Sequence, residues 1–227
     1  LGQTGLMYAA AKGKIEAAVA VLEKGADLEA REKNGWSALH LAAARGHVEL
    51  VRALLEKGAQ LEGKNEKGQT ALMIAAALGK TEICRRLRQK EAWLEARDSA
   101  GLSALMYAVA NGRVETVRWL VSEEAHLEAR TPTRLTVLMA ASQAGQTEIV
   151  KSLLESRRTK IDARTDDGQT ALMYAAAGGH QAAVEALLSK GADPAAVDKI
   201  GQTAAAIARG KGHAKLAERL ESAVVKK

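Results

Sequence analysis

A glycine closes a run of small residues at Gly13, Gly46, Gly79, Gly112, Gly145, Gly179 and Gly212, with successive separations of 33, 33, 33, 33, 34 and 33 residues. A second glycine series keeps the same frame upstream, at Gly2, Gly35, Gly68, Gly101, Gly168 and Gly201, and only Arg134 interrupts it. A period of this length marks a supersecondary unit that cannot bury its apolar surface alone and must stack on its neighbours. The frame predicts seven repeats in a single domain, 1–227, with approximate limits 1–30, 31–63, 64–96, 97–129, 130–163, 164–196 and 197–227. The first repeat lacks most of its opening turn.

Within each repeat the signals follow one order. A Thr or Ser comes after the turn (Thr4, Ser37, Thr70, Ser103, Thr136, Thr170, Thr203), placed to cap a helix whose first N–H groups lack partners. An Ala-rich segment such as "ALMYAAAGG" follows and stops at glycine, which ends helices by adopting the left-handed conformation. A second, longer helix is then predicted, in one copy from Val48 to Lys57, with Leu50, Val51, Leu54 and Leu55 on one face. Ile149, Val150, Leu153 and Leu154 repeat that face. Phe is absent and alanine abundant, so the core must be thin and its backbones close. The predicted fold is an all-α solenoid of stacked antiparallel helix pairs.

The stretch "GWSALHLAAARGHVELVRALLEKGAQLEGK" resembles the ankyrin-repeat family nearly throughout, and the resemblance covers almost the whole chain. It implies two antiparallel helices per repeat followed by a projecting hairpin-like loop, and a protein-interaction role. The family's proline after the capping Thr is replaced throughout, and its motif histidine survives only at His40, where the other complete repeats mostly carry Met. The family's loop asparagine is replaced by Glu29, Glu62, Glu95, Glu128 and Asp162, which removes asparagine hydroxylation at that place. Ile15, Val19, Val21 and Leu22 make the second helix of the first repeat apolar, so further chain is expected before Leu1. At the other end Glu221 stands where Leu55, Val121, Leu154 and Leu188 stand earlier, the polar outer face expected of a terminal repeat.

Little here points to catalysis. His47, His180 and His213 follow the closing glycine in three repeats, and a solenoid would space them a repeat apart rather than converge them on a metal. Cys84 takes the slot of Val51, Val117 and Val150 and reads as a small core hydrophobe. The glycines are accounted for by turns and caps, so no cofactor is predicted and the protein is read as not an enzyme. A single cysteine suits a reducing compartment, and an intracellular location, cytoplasmic or nuclear, is expected. No apolar run is long enough to span a membrane, and no signal-peptide pattern opens the chain. A net charge of +6 falls short of the density of a dedicated nucleic-acid binder.

Binding residues are sought where the repeats differ or align. Arg31, Lys64, Arg97, Arg130 and Arg164 share one slot at the base of successive loops, a row suited to an acidic partner segment. The acidic residues two positions earlier offer a second reading, in which the two rows neutralise each other. Met7, Tyr8, Met73, Met106, Tyr107, Met139, Met173 and Tyr174 fill two first-helix positions, either as core or as an adaptable groove. Trp36, Leu102 and Leu135 occupy a slot that is Gln in other repeats, which predicts exposed anchors. Arg88 replaces an apolar residue on a stacking helix, its stem lying along the surface or covered by a partner. The fifth repeat combines Pro132, Arg134 and one extra residue in "ESRRTKIDAR" with an intact helical core, which reads as a remodelled binding loop. The expected function is a monomeric, non-catalytic scaffold, part of a longer chain, that binds a partner protein or peptide on its loop tips and short helices. The alternatives are an anionic-ligand module for nucleic acid or phosphoinositide membrane, and an accessory region of a larger enzyme or channel.

Overall fold

The helix caps form where the sequence places them. Thr4 Oγ1 accepts from the Met7 N–H at 3.3 Å, and Thr70, Ser103, Thr136 and Thr170 do the same for the residue three further on. The computed structural model describes residues 4–131 and 133–225; Pro132, one of the candidate contacts, lies outside the described residues. Seven helix pairs run through them: α1 (Gly5–Lys12) and α2 (Ile15–Glu23), α3 (Ala38–Arg45) and α4 (Val48–Glu56), α5 (Ala71–Ala77) and α6 (Thr81–Gln89), α7 (Ala104–Ala110) and α8 (Val114–Ser122), α9 (Val137–Gln143) and α10 (Thr147–Leu154), α11 (Ala171–Ala177) and α12 (Gln181–Ser189), α13 (Ala204–Gly210) and α14 (Ala214–Val225). Among the described residues there is no β-strand, only isolated bridges pairing Arg130 with Thr136 and Val197 with Thr203 across two of the hairpins.

The closing glycines are required twice over. Gly13 and Gly145 turn the chain at φ 70° and 65°, and the ring of the histidine in the next repeat, His47 or His180, lies 2.6 Å from where a Cβ would stand. Those rings reach back to the end of the preceding first helix, His47 Nε2 to the Ala11 carbonyl at 3.4 Å and His180 Nε2 to the Gln143 carbonyl at 3.0 Å. Arg113 makes the same joint with Ala77. The expected structural role of these histidines is what the geometry gives.

Contacts divide the chain into two compact units, Leu1–Trp119 and Leu120–Lys227. In the first, α1, α3, α5 and α7 pack in succession as one layer, and α2, α4 and α6 as another. In the second, α9, α11 and α13 pack in succession, α10 packs on α12, and α14 closes on α13. Alanine fills the first-helix layers: Ala9, Ala42, Ala75, Ala141 and Ala175 are fully buried. The methionines are core, with Met7, Met73, Met106, Met139 and Met173 all buried, whereas Tyr8 is exposed and Tyr107 and Tyr174 are half-buried. Leu50, Val51 and Leu54 are buried on α4, and Ile149, Val150 and Leu153 on α10, while Leu55 and Leu154 at the edge of each stripe are half-buried. Cys84 is sealed in the core, where burial pushes its thiol up to about 12. On α14 only Leu216, Ala217 and Leu220 are buried, and Glu221 is exposed and paired with Arg209 at 2.8 Å. On α2 only Ala18 is buried; Ile15, Val19, Val21 and Leu22 are half-buried.

Candidate partner-binding surface

The hairpins that project between helix pairs are held by short-range chemistry. In five of the six complete turns the residue after the basic slot is Asn65, Asp98, Thr131, Thr165 or Asp198, whose side-chain oxygen accepts backbone N–H groups of its own turn. Asn65 Oδ1, for instance, takes those of Lys67 and Gln69 at 3.0 and 2.9 Å. Neighbouring tips are linked by backbone bonds, Glu66 N–H to the Asn34 carbonyl at 3.1 Å, Ser99 to Lys67 at 3.0 Å, and Lys199 to Asp167 at 2.9 Å. Glycine allows that approach: a Cβ on Gly35 would stand 2.7 Å from the Glu66 nitrogen.

The basic row is a set of joints. In the first unit Arg31 Nη1 donates to the carbonyls of Gly35 in its own turn and Lys64 in the next, and Lys64 Nζ donates to the Arg97 carbonyl at 2.9 Å. Arg97 bonds the Gly101 carbonyl at 2.7 Å. In the second unit Arg130 bridges the carbonyls of Arg134 (2.7 Å) and Arg164 (2.9 Å), and Arg164 those of Gly168 (3.2 Å) and Val197 (2.6 Å). Four members of the acidic row turn elsewhere. Glu29, Glu62, Glu128 and Asp162 accept instead from the backbone N–H of Gln60, Trp93, Lys160 and Asp193, each one repeat on, at 2.8 to 3.0 Å. At these positions the reading of mutual neutralisation gives way to bonds with backbone groups of the next repeat.

The slot predicted to carry exposed anchors is partly sunk. Leu135 is 8% exposed and belongs to the core, while Trp36 and Leu102 are half-buried. Glutamine suits the same slot because its amide is satisfied in place: Gln69 accepts from Asn65 Nδ2 at 2.9 Å and donates to Tyr107 Oη at 2.7 Å. Tyr107 Oη donates in turn to Asp98 Oδ2 at 2.6 Å, and burial followed by that bond holds its phenol above the ordinary value. Arg88 lays its stem along the surface and returns Nη1 to the Ala92 carbonyl at 3.4 Å.

In the fifth repeat Arg134 keeps the left-handed conformation of the glycines, at φ 66°. The tip link is made there by its side chain, Nε to Asp166 Oδ2 at 3.2 Å, both groups exposed. The extra residue in the following loop lets Arg158 reach back, Nη1 to the carbonyls of Glu124 (3.0 Å) and Ala125 (3.2 Å) and Nη2 to that of Val121 (3.1 Å).

A cleft of about 430 Å³ lies between the hairpin tips of the second and third repeats. Trp36 and Leu41 are its apolar lining residues, and Asn65 and Gln69 of the next repeat line it as well. Of these only Trp36 was legible as a contact. The signal for the rest is Glu32, which stands where the other complete turns carry Asn, Asp or Thr. Trp93 (63% exposed) and the pair Val197 and Ile200 are among the exposed apolar residues, and Val197 takes the last place of the basic slot.

Among the described residues no group of three His, Cys, Asp or Glu side chains could hold a metal ion, and no helix is long and apolar enough to cross a membrane. A family model described as "Ankyrin repeats (3 copies)" matches residues 1–65, 61–131 and 123–198. No curated protein matches the chain. Among solved structures it is similar to the ankyrin repeat domain of Bcl-3, described as a unique member of the IkappaB protein family (26% identity, TM-score 0.84, covering 96% of this chain and 99% of that one). It is also similar to the human ASB11 ankyrin repeat domain (25% identity, TM-score 0.84, covering 96% and 98%).

Proposed function

Because the chain belongs to the ankyrin-repeat family, an all-α solenoid fold whose members are generally non-catalytic protein–protein interaction modules, we propose that it is an intracellular scaffold binding a partner protein or peptide on its hairpin tips and first helices. The observation that carries this reading is the cleft at Trp36, where a half-buried indole and Leu41 face a row of satisfied amides. Tryptophan in such a setting offers large contact area at small ordering cost. In the reading the seven repeats form one domain. The engagement of the basic row by carbonyl oxygens supports a protein partner over nucleic acid or phosphoinositide, since a phosphate would have to compete for donors already in use.

The test is affinity capture with the wild-type chain and the Trp36→Leu variant, which carries the residue found in the same slot at Leu102 and Leu135. A protein retained at about 1 M salt, where charges are screened beyond about 3 Å, and lost with the variant is the expected result. Capture that is unchanged by the variant, or that collapses entirely with salt, overturns it.

A further inference from the structure

The cleft at Trp36 differs from the other hairpin joints in charge as well as shape. In the other complete turns the residue after the basic slot spends its side-chain oxygen on its own backbone. Glu32 is too long for that; among the described residues its carboxylate accepts only from Asn34 Nδ2 at 3.3 Å, and the residue lines the cleft. From the facing tip Glu66 adds a second carboxylate, which makes no ion pair with any described residue. Lys67 is the one cation in the lining. The nearest basic-row members, Arg31 and Lys64, have their donors turned to the carbonyls of Lys64 and Arg97. Trp36 lines the same cleft, its ring tilted 50° on His40 and its indole N–H unbonded to any described residue.

A cleft lined by an indole and by two glutamates without an ion-pair partner among the described residues attracts a cation. Resting on the proposal of a peptide partner, the geometry points to the Trp36 cleft as the seat of a basic side chain, arginine before lysine, from an extended segment of the partner. A guanidinium stacks on the indole while its forked N–H groups reach carboxylates on both walls, which a point-charge ammonium does less well. The chain as a whole carries +6, so a basic peptide gains no long-range attraction and is held by contacts within the cleft.

The experiment is a titration of the full chain followed by the Trp36 indole N–H resonance, assigned through Trp36→Leu. The probes are acetyl-Gly-Ala-Arg-Arg-Ala-Gly-amide and its norleucine and glutamate counterparts. The arginine peptide is expected to shift the Trp36 signal in a saturable way, with the Trp93 and Trp119 signals still. Glu32→Gln with Glu66→Gln should weaken it about tenfold, as loss of a partly desolvated cation site implies, while Glu56→Gln on the outer face of α4 changes nothing. A norleucine or glutamate peptide that binds as well overturns the cation assignment and leaves the peptide cleft standing. No shift with any of the three overturns both.

Discussion

Arg134 shows what one side chain does to a joint. Its backbone sits at φ 66°, where glycine is free and any other residue strained by about 1 kcal/mol. Its Cβ takes the space that lets the glycine tips close by a backbone bond, so the link to the sixth tip becomes the exposed ion pair with Asp166. Such pairs contribute at most about 1 kcal/mol. Arg134→Gly is therefore expected to raise stability by up to about 1 kcal/mol, read as a melting temperature a few degrees higher. A fall would mean that the ion pair outweighs the strain. His40 is the residue-scale test in pH. Its Nδ1 accepts from the Ser37 N–H at 3.2 Å, which leaves the proton on Nε2 for the Gln69 carbonyl at 3.1 Å, and burial holds the imidazole below its ordinary value near 6.5. The unfolded chain thus binds the proton more readily, so the stability due to neutral His40 is complete above about pH 6.5 and declines as pH falls below it. His40→Met, which adopts the residue of equivalent slots, should cost about 1 kcal/mol at neutral pH through the lost carbonyl bond and should flatten the acid limb. Urea denaturation at about pH 7 and about pH 5 measures both; an acid limb unchanged by the variant would remove His40 as its source.

At the scale of helices and loops, periodicity made nearly everything readable. The Thr and Ser caps, the Ala-rich first helices and the stripe at Leu50, Val51 and Leu54 follow from spacing alone, because packing on a neighbour of like sequence demands the same residues every turn of the pattern. The loops were harder. Slot alignment brings out the basic and acidic rows, yet most of their partners are backbone groups one repeat away, and no sequence pattern marks a carbonyl. Leu135 was misplaced for a related reason: the polarity of Gln69 suggested solvent, whereas its amide is satisfied in a half-buried setting. Arg158 is the element-scale test. It ties the inserted loop to three carbonyls just past and within the end of α8, an arrangement that also favours a cation at a helix C-terminus. Arg158→Ala is expected to destabilise by about 1–2 kcal/mol and to speed amide exchange of the loop at 155–160, with Arg157→Ala as a silent control. Equal effects from the two would count against the tie.

For the molecule as a whole, each helix pair depends on the next one to cover it. The outer face of α14 is polar, with Glu221 bonded to Arg209 and Arg219 to Glu185, while α13 covers the buried alanines of α11. Truncation after Val197 is expected to uncover Ala175, Ala176 and neighbours and to yield a chain that aggregates, as light scattering during thermal unfolding would show. A soluble monomer with an unaltered melting temperature would contradict it. The carbonyl-seeking rows carry a further consequence, for how such a chain can change over generations. A side chain that grips another side chain needs both letters kept, but a carbonyl oxygen belongs to every amino acid. Arg31, Arg130 and Arg164 therefore hold whichever residue comes next, Lys64, Arg164 or Val197. A repeat joined in this way can be copied, deleted or exchanged by recombination and still find its grip in the new neighbour, whereas the Arg134 to Asp166 pair would be broken by the first such exchange.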